Sequence, residues 1–378
     1  MALRAALMAF AVMFVNFLVA CSSSSGGPEP AELPALQQAQ EPRVLWSARV
    51  GPARGFVFSP ALVGDSVVAA ARDGTVLRLG TANGKPQWRS ALGLLLSAGA
   101  GADPRTVAVA TDEGEVLALD AETGQLRWRA RVSSEVLAAP RVAGGLVLVR
   151  SADSRIYAFD AEDGKRRWVY QRATSSLMVR TPAGLSVLQG SVYAGFSGGK
   201  LVALGLANGG VRWEATVALP KGATELERVT DIVGDPAVLG REVCAAAFQG
   251  RIACFETQNG NQLWARDMST VTGASVDARY AYVSDDRGAV HALDRSNGRS
   301  LWKQDRLAHR QLSQPLPLDA EIVLGDLQGY IHVLTRDSGA FAARGATDGT
   351  AVRAAPVRLP EGGFLVQTQG GNLYALAR

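Results

Sequence analysis

Three cysteines and three histidines are the side chains of this sequence best suited to nucleophilic, redox or metal chemistry. Their spacing argues against most of it. No His-x-His or Cys-x-x-Cys pair occurs, so the common metal-ligand spacings are missing and no resident metal is expected. His291 and His332 each stand three residues after a glycine. The matching slots elsewhere hold Leu77, Leu117, Tyr157, Val202, Ala253 and Tyr374, which makes this an ordinary strand position. His309 falls in a connector. Cys244 and Cys254 flank a turn at Gln249-Gly250. A three-residue loop would set them opposite each other, ready for a cross-strand disulfide in an oxidising compartment. A two-residue loop would put Cys244 against Phe255 and leave two small buried side chains. Gly198-Gly199 is a turn with no helix after it, so it is not a phosphate loop.

Cys21 has a different setting. It follows a single basic residue, Arg4, and an apolar run from Ala5 to Ala20 broken only by Asn16. The run is shorter than the ~18–20 residues a membrane-spanning helix needs, and it reads as a secretory signal over residues 1–20. It ends Leu18-Val19-Ala20-Cys21, which resembles the lipobox of bacterial lipoproteins. There a small residue precedes the cut and the thiol takes the lipid. Residues 21–40 start with serines and glycines and read as a flexible tether. Ser22, rather than Asp, follows the cysteine, which implies export to the outer membrane.

The elements behind these residues come from one repeat. Glu113 to Trp128 recurs as Asp73 to Trp88, Asp153 to Trp168, Gly198 to Trp213, Gln249 to Trp264 and Arg287 to Trp302. A seventh copy, Gln328 to Ala343, lacks its Trp, and an eighth starts at Gly370. Turn residues fall at 74, 114, 154, 199, 250, 288, 329 and 371, all Gly except Ser154, with spacings of 40, 40, 45, 51, 38, 41 and 42. Periods near 40 with strand-like content mean propeller blades. In each unit a strand, often starting at a small residue plus Pro, precedes a hairpin around the turn glycine, and a fourth strand ends at the Trp. The expected fold is all-β: an eight-bladed propeller of four-stranded antiparallel blades over residues 41–378. Trp46 lies 42 residues before Trp88 and is in phase. Its strand can complete the eighth blade and close the ring. Trp46, Trp88, Trp128, Trp168, Trp213, Trp264 and Trp302 are then structural, packing blade on blade.

Composition fits this reading. At roughly one domain per 150 residues, a 378-residue chain would hold two or three domains, but one ring uses the length. The formal charge of +4, with acids and bases interleaved, carries no nucleic-acid signature. Insertions in a repeat mark faces used for something besides stacking. Two connectors are long: Trp168 to Val192 is 24 residues and Trp213 to Val243 is 30, against 18 from Trp128 to Leu146. Each mixes apolar and charged residues, as a protein interface does.

The Ala-x-Asp-x-x-(Thr/Asn)-Gly-x-x-x-Trp pattern resembles the docking motif of PQQ-type propellers, a superfamily that includes quinoprotein dehydrogenases. Those enzymes carry adjacent cysteines, acidic and amide calcium ligands and longer chains. Here no two cysteines are adjacent and eight bare blades use up residues 41–378, so no cofactor is expected, and a quinoprotein-like enzyme is the alternative reading. A generic envelope propeller binding a peptide or glycan is another. A lipoprotein signal joined to an eight-bladed ring is similar to the BamB family, lipoproteins of the outer-membrane β-barrel assembly machinery. The segments Gly222-Ala-Thr-Glu-Leu-Glu-Arg-Val-Thr-Asp231 and Leu307-Ala-His-Arg-Gln-Leu-Ser-Gln-Pro315 carry the resemblance. It implies a non-enzymatic scaffold on the periplasmic side of the outer membrane, held by the lipid on Cys21. Its implied partners are the POTRA domains of BamA, other lipoproteins of that complex and unfolded barrel proteins. Partner contacts would fall on Leu177, Val179 and Arg180 in the first long connector and on Asp231 in the second. The family's second acid is replaced here by Val233.

Overall fold

Runs such as Thr106–Ala110 (Thr-Val-Ala-Val-Ala) are buried at every position, whereas Leu126–Arg131 alternates exposed and buried. A strand covered on both faces needs apolar residues throughout, and one with a solvent face needs them at every second position. The computed structural model, which describes residues 28–36, 41–173 and 177–378, arranges these strands accordingly. Cys21 and the signal segment lie outside the described residues. The chain divides into two units, Met1–Pro30 and Ala31–Arg378, and the description below concerns the second.

In blade 2, Gly101–Ala102, Thr106–Ala110, Glu115–Asp120 and Leu126–Arg131 pair antiparallel in that order. Among the described residues there are eight such four-stranded sheets and no helix: blade 1 over 61–91, blade 3 over 141–171, blade 4 over 185–216, blade 5 over 232–267, blade 6 over 274–304, blade 7 over 316–346, and blade 8 from 357–377 with 43–49. Blade 8 takes its outer strand from the other end of the chain. Arg43–Arg49 pairs with Asn372–Ala377, from Arg43 opposite Ala377 to Arg49 opposite Asn372. The apolar core is not central. It is divided into eight clusters, one at each junction between neighbouring blades. One, with Phe58, Val68, Val107 and Leu119, joins blades 1 and 2. Another, with Trp46, Val67, Leu77 and Leu373, joins blade 8 to blade 1 and so closes the ring.

The tryptophans explain how one blade registers on the next. Trp88, on the outer strand of blade 2's predecessor, donates its indole N–H to the carbonyl of Ala121 at 2.9 Å. Its ring lies on Gly124, where a Cβ would come within 2.6 Å of it. Gly124 also has a φ of +71°, so this turn excludes side chains on two counts. Trp46, Trp128, Trp168, Trp213, Trp264 and Trp302 repeat the arrangement, donating to Thr81, Ala161, Leu206, Thr257, Arg295 and Arg336. Each motif therefore offers a carbonyl and a glycine seat to the preceding blade and its own Trp to the next.

Ala343 fills the eighth Trp position and is fully buried. Its reason lies in ring closure. The outer strand of blade 8 comes from Arg43–Arg49, so no turn links the third strand to the fourth, and the glycine seat has no equivalent. Pro42 lies in this region instead, its Cδ 3.2 Å from where a Cβ on Gly345 would sit.

Two local details differ from simple repetition. The hairpin Glu242–Ala247 with Arg251–Glu256 is centred on Gln249, which sets Cys244 directly opposite Cys254, and their sulfurs are bonded. The left-handed residue of this turn is Gln249, with φ +47°, not Gly250. Gly250 answers a space requirement, because a Cβ there would lie 2.8 Å from those of Ala218 and Ala247. The second detail lies outside the blades. Residues 31–36 run against the ring, with Ala31 N–H bonded to Ala308 O at 2.9 Å and Leu33 packed into the cluster between blades 6 and 7.

Blade 7 also buries a charged group. Asp326 accepts from Arg310 Nε at 2.7 Å and is 3.0 Å from His332 Nε2. Burial would raise the Asp326 carboxyl, but the bonds from His332 and Arg310 outweigh it and hold it low. Burial pushes the His332 imidazole below its ordinary 6.5. Asp326 opposes this, while Arg344 and Arg310 add to it.

Three outcomes follow from this packing. Trp128→Ala should cost about 3–5 kcal/mol in denaturant unfolding. Ala343→Trp should not stabilise; with no seat to receive the ring, overpacking should cost about 1–3 kcal/mol. Stability should also fall as pH drops below 6.5, because the unfolded chain takes up a proton at His332 that the folded ring resists. His332→Gln, which keeps a donor and removes the titration, should flatten that slope when melting temperatures are compared at pH 7.5 and 5.5.

Candidate partner-binding face

Each connector leaves its blade beside that blade's second hairpin turn. Val132 N–H bonds to Gly114 O, Val217 N–H to Gly199 O and His309 N–H to Arg287 O. The connectors and these turns therefore share one face of the ring, and both long insertions open onto it.

The first long connector is held from below. The backbone N–H of Val179 donates to Asp231 Oδ2 at 2.6 Å, linking it to the second connector. Asp231 is only 6% exposed, and burial pushes its carboxyl up, although the N–H groups of Val179 and Gly198 and the charge of Arg150 oppose this. Arg150 lies beneath, donating to Ala183 O at 3.0 Å and stacked on Phe196, and burial draws its guanidinium down to about 10. Arg180 meets Glu135 of another connector through two bonds, at 2.7 and 3.2 Å. Its guanidinium also stands 5.6 Å from the ring centre of Phe56, which Arg72 approaches to 4.4 Å. Arg72 is in turn paired with Asp112 at 2.7 Å. Leu177 stays 40% exposed.

The second long connector contains one sharply held turn. Glu227 Oε2 accepts from Ala223 N–H at 2.8 Å and Thr224 N–H at 3.0 Å, while Thr224 Oγ1 accepts from Glu227 N–H at 3.3 Å. This is a reciprocal capping box. The backbone N–H groups hold the Glu227 carboxyl below the usual carboxylate range. From the other side the Gln249 carboxamide, turned with its nitrogen to the loop, faces the carbonyls of Leu226, Glu227 and Val229 at 3.0–3.2 Å. The turn displays Leu226, which is 72% exposed, near Leu219 at 65%. Exposed apolar residues elsewhere, such as Leu126, Val211, Leu263 and Leu301, sit beside the tryptophans on outer strands and belong to the repeat.

The four sequence-predicted contact residues are thus brought onto one face, in two layers. Leu177 and Arg180 lie at the surface, Val179 is half-buried, and Asp231 lies underneath as a support. Val233, which replaces the family's second acid, is buried. Leu226, Gln249, Glu135 and Phe56 were not found from sequence. Thr224-x-x-Glu227 was a legible capping signal, but the others depend on contacts between separate connectors and turns. Among the described residues no cluster of three His, Cys, Asp or Glu side chains could hold a metal. The histidines bond to turn aspartates, His291 to Asp285 at 2.8 Å and His332 to Asp326.

The ring is a tryptophan-docked eight-bladed propeller with one elaborated connector face. The family model described as outer membrane protein assembly factor BamB matches residues 72–304, which include both long connectors. A protein of that name from Bordetella pertussis is 41% identical over 353 residues, covering 93% of this chain and 91% of its own. One from Pseudomonas aeruginosa is 43% identical over 377 residues, covering 98% of both. The crystal structure of BamB from Moraxella catarrhalis superposes with a TM-score of 0.81 at 26% identity, covering 89% of this chain and all of that one. The chain belongs to the BamB family. A quinohemoprotein alcohol dehydrogenase from Comamonas testosteroni shares the fold alone, with a TM-score of 0.68 at 14% identity and coverage of 89% and 76%.

Proposed function

We propose that this chain is a non-enzymatic scaffold of outer-membrane protein assembly that docks through its connector face on the POTRA domains of BamA. In this reading acylated Cys21 anchors it to the outer membrane, facing the periplasm, where it works beside other lipoproteins of the complex and close to unfolded barrel proteins. The observation that carries the reading is the pair of neighbouring long connectors, locked to each other by Asp231 and displaying Leu177 and Leu226 to solvent. An exposed loop ordinarily has little to hold it, and one fixed in advance spends less entropy on binding. Leu177 and Leu226 serve as apolar anchors and Arg180 as the polar contact beside them, while Asp231 positions Val179. The quinoprotein reading finds no support in the cysteines. Cys244 and Cys254 are ten residues apart and buried within blade 5, unlike the adjacent pair those enzymes use.

Leu177→Ala with Arg180→Ala should reduce co-purification with BamA by about tenfold, a loss of ~1.4 kcal/mol, with the melting temperature unchanged within about two degrees. Leu226→Ala should do the same alone. Full recovery of BamA by both variants would overturn the reading.

A further inference from the structure

The N-terminal side of the ring bears two duties that conflict. Arg43–Arg49 closes the ring through a ladder to Asn372–Ala377. The same chain end leads back to the lipid acceptor, Cys21. Any tension from the anchor would act first on the Arg43–Ala377 end of that ladder, inside the blade that borders the junction where Ala343 replaces the tryptophan.

Residues 31–36 stand between the two. Ala31 N–H bonds to Ala308 O at 2.9 Å, and Ala31 O accepts from Arg310 Nη1 at 2.8 Å. Leu33 packs against the apolar cluster between blades 6 and 7, which includes Leu307 and Leu312. Pro34 O accepts from Arg344 Nη2 at 2.8 Å on the outer strand of blade 7. Arg310 is 2% exposed, and its other donors go to Asp326 and to Gln328 Oε1 at 2.5 Å. The Ala31 carbonyl therefore completes the bonding of a buried cation. A charged donor left buried without an acceptor is costly, so release of this segment is opposed by more than one apolar contact.

We propose that residues 31–36 form a clasp that passes tension from the N-terminal anchor into blade 7 before it reaches the closing strand. The proposal rests on Cys21 being the lipid acceptor.

The test uses the mature chain from residue 21 with Cys21→Ser, beside two variants. In one, residues 31–36 are replaced by six Gly and Ser residues; the other is Leu33→Asp. Hydrogen exchange over 43–49 and 307–313 should speed up about tenfold in both variants, with 146–160 in blade 3 unchanged. When residues 21 and 378 are pulled apart in an optical trap, the first opening should need less force in both variants than in the parent. Unchanged exchange would show that the segment is not docked, and unchanged force would overturn the tension role even if exchange rises. Acyl labelling of the wild-type chain in cells separates the premise from the clasp. If label persists in Cys21→Ser, the anchor is elsewhere and the clasp has no tension to carry.

Discussion

The constraint on which the rest depends is the seating of an indole on a glycine of the next blade. A blade alone has two apolar faces and cannot bury either. The seat fixes how far apart neighbouring blades stand and how they are turned, and it does so with a shape, a hydrogen bond and a backbone conformation together. Trp88, Ala121 and Gly124 show all three. With the outer rim fixed this way, the second and third strands of each blade can face their neighbours with small residues, such as Ala69, Ala108, Ala118 and Ala203, all fully buried. Few aromatics and many glycines are what such a ring requires.

Closure follows from the same constraint, and so does its exception. A motif that contains both the seat and the next indole can repeat only while the chain runs continuously from third strand to fourth. Blade 8 breaks that continuity, and Ala343 faces a junction with no seat. Pro42 at Gly345, together with the Arg378 pair to Glu321, fills the role there. This explains why the departure of the seventh copy from its repeat is not decay: a ring residue and its seat are lost together.

Much of this was legible in the sequence because it is periodic. Each Trp, each turn and the borrowed strand at Trp46 follow from a count of positions, and the length of the two connectors follows from the same count. What was not legible is what a period does not encode. Asp231 reads as a surface acid, yet the ring puts it under the connector, where its carboxylate binds Val179 N–H. Cys244 and Cys254 could not be matched without knowing whether the hairpin centre is Gln249 or lies between residues. Ala31 and Pro34 look like tether because nothing local holds them; their partners Arg310 and Arg344 are some 300 residues away. Leu226 is an ordinary leucine until Gln249 is found capping its turn from the second hairpin of the blade that follows.

The division between stacking and binding also has a physical cause. Lengthening a connector leaves every indole and its seat untouched, so insertions on this face cost the ring little, and loop-closure entropy grows only slowly with length. An insertion within a strand would shift the register and turn buried residues outward. Variation is therefore admitted on the connector face and refused elsewhere. A free loop would be a poor anchor, however, because ordering it on binding consumes the gain. The two long connectors here escape that cost by borrowing order from the ring beneath. Asp231 and Arg150 hold the first, and the capping box with Gln249 holds the second. Its rigid turns supply the hydrogen bonds that hold the exposed leucines of both connectors in a fixed place, so the proposed docking face would draw its order from a ring with seven docked tryptophans under it.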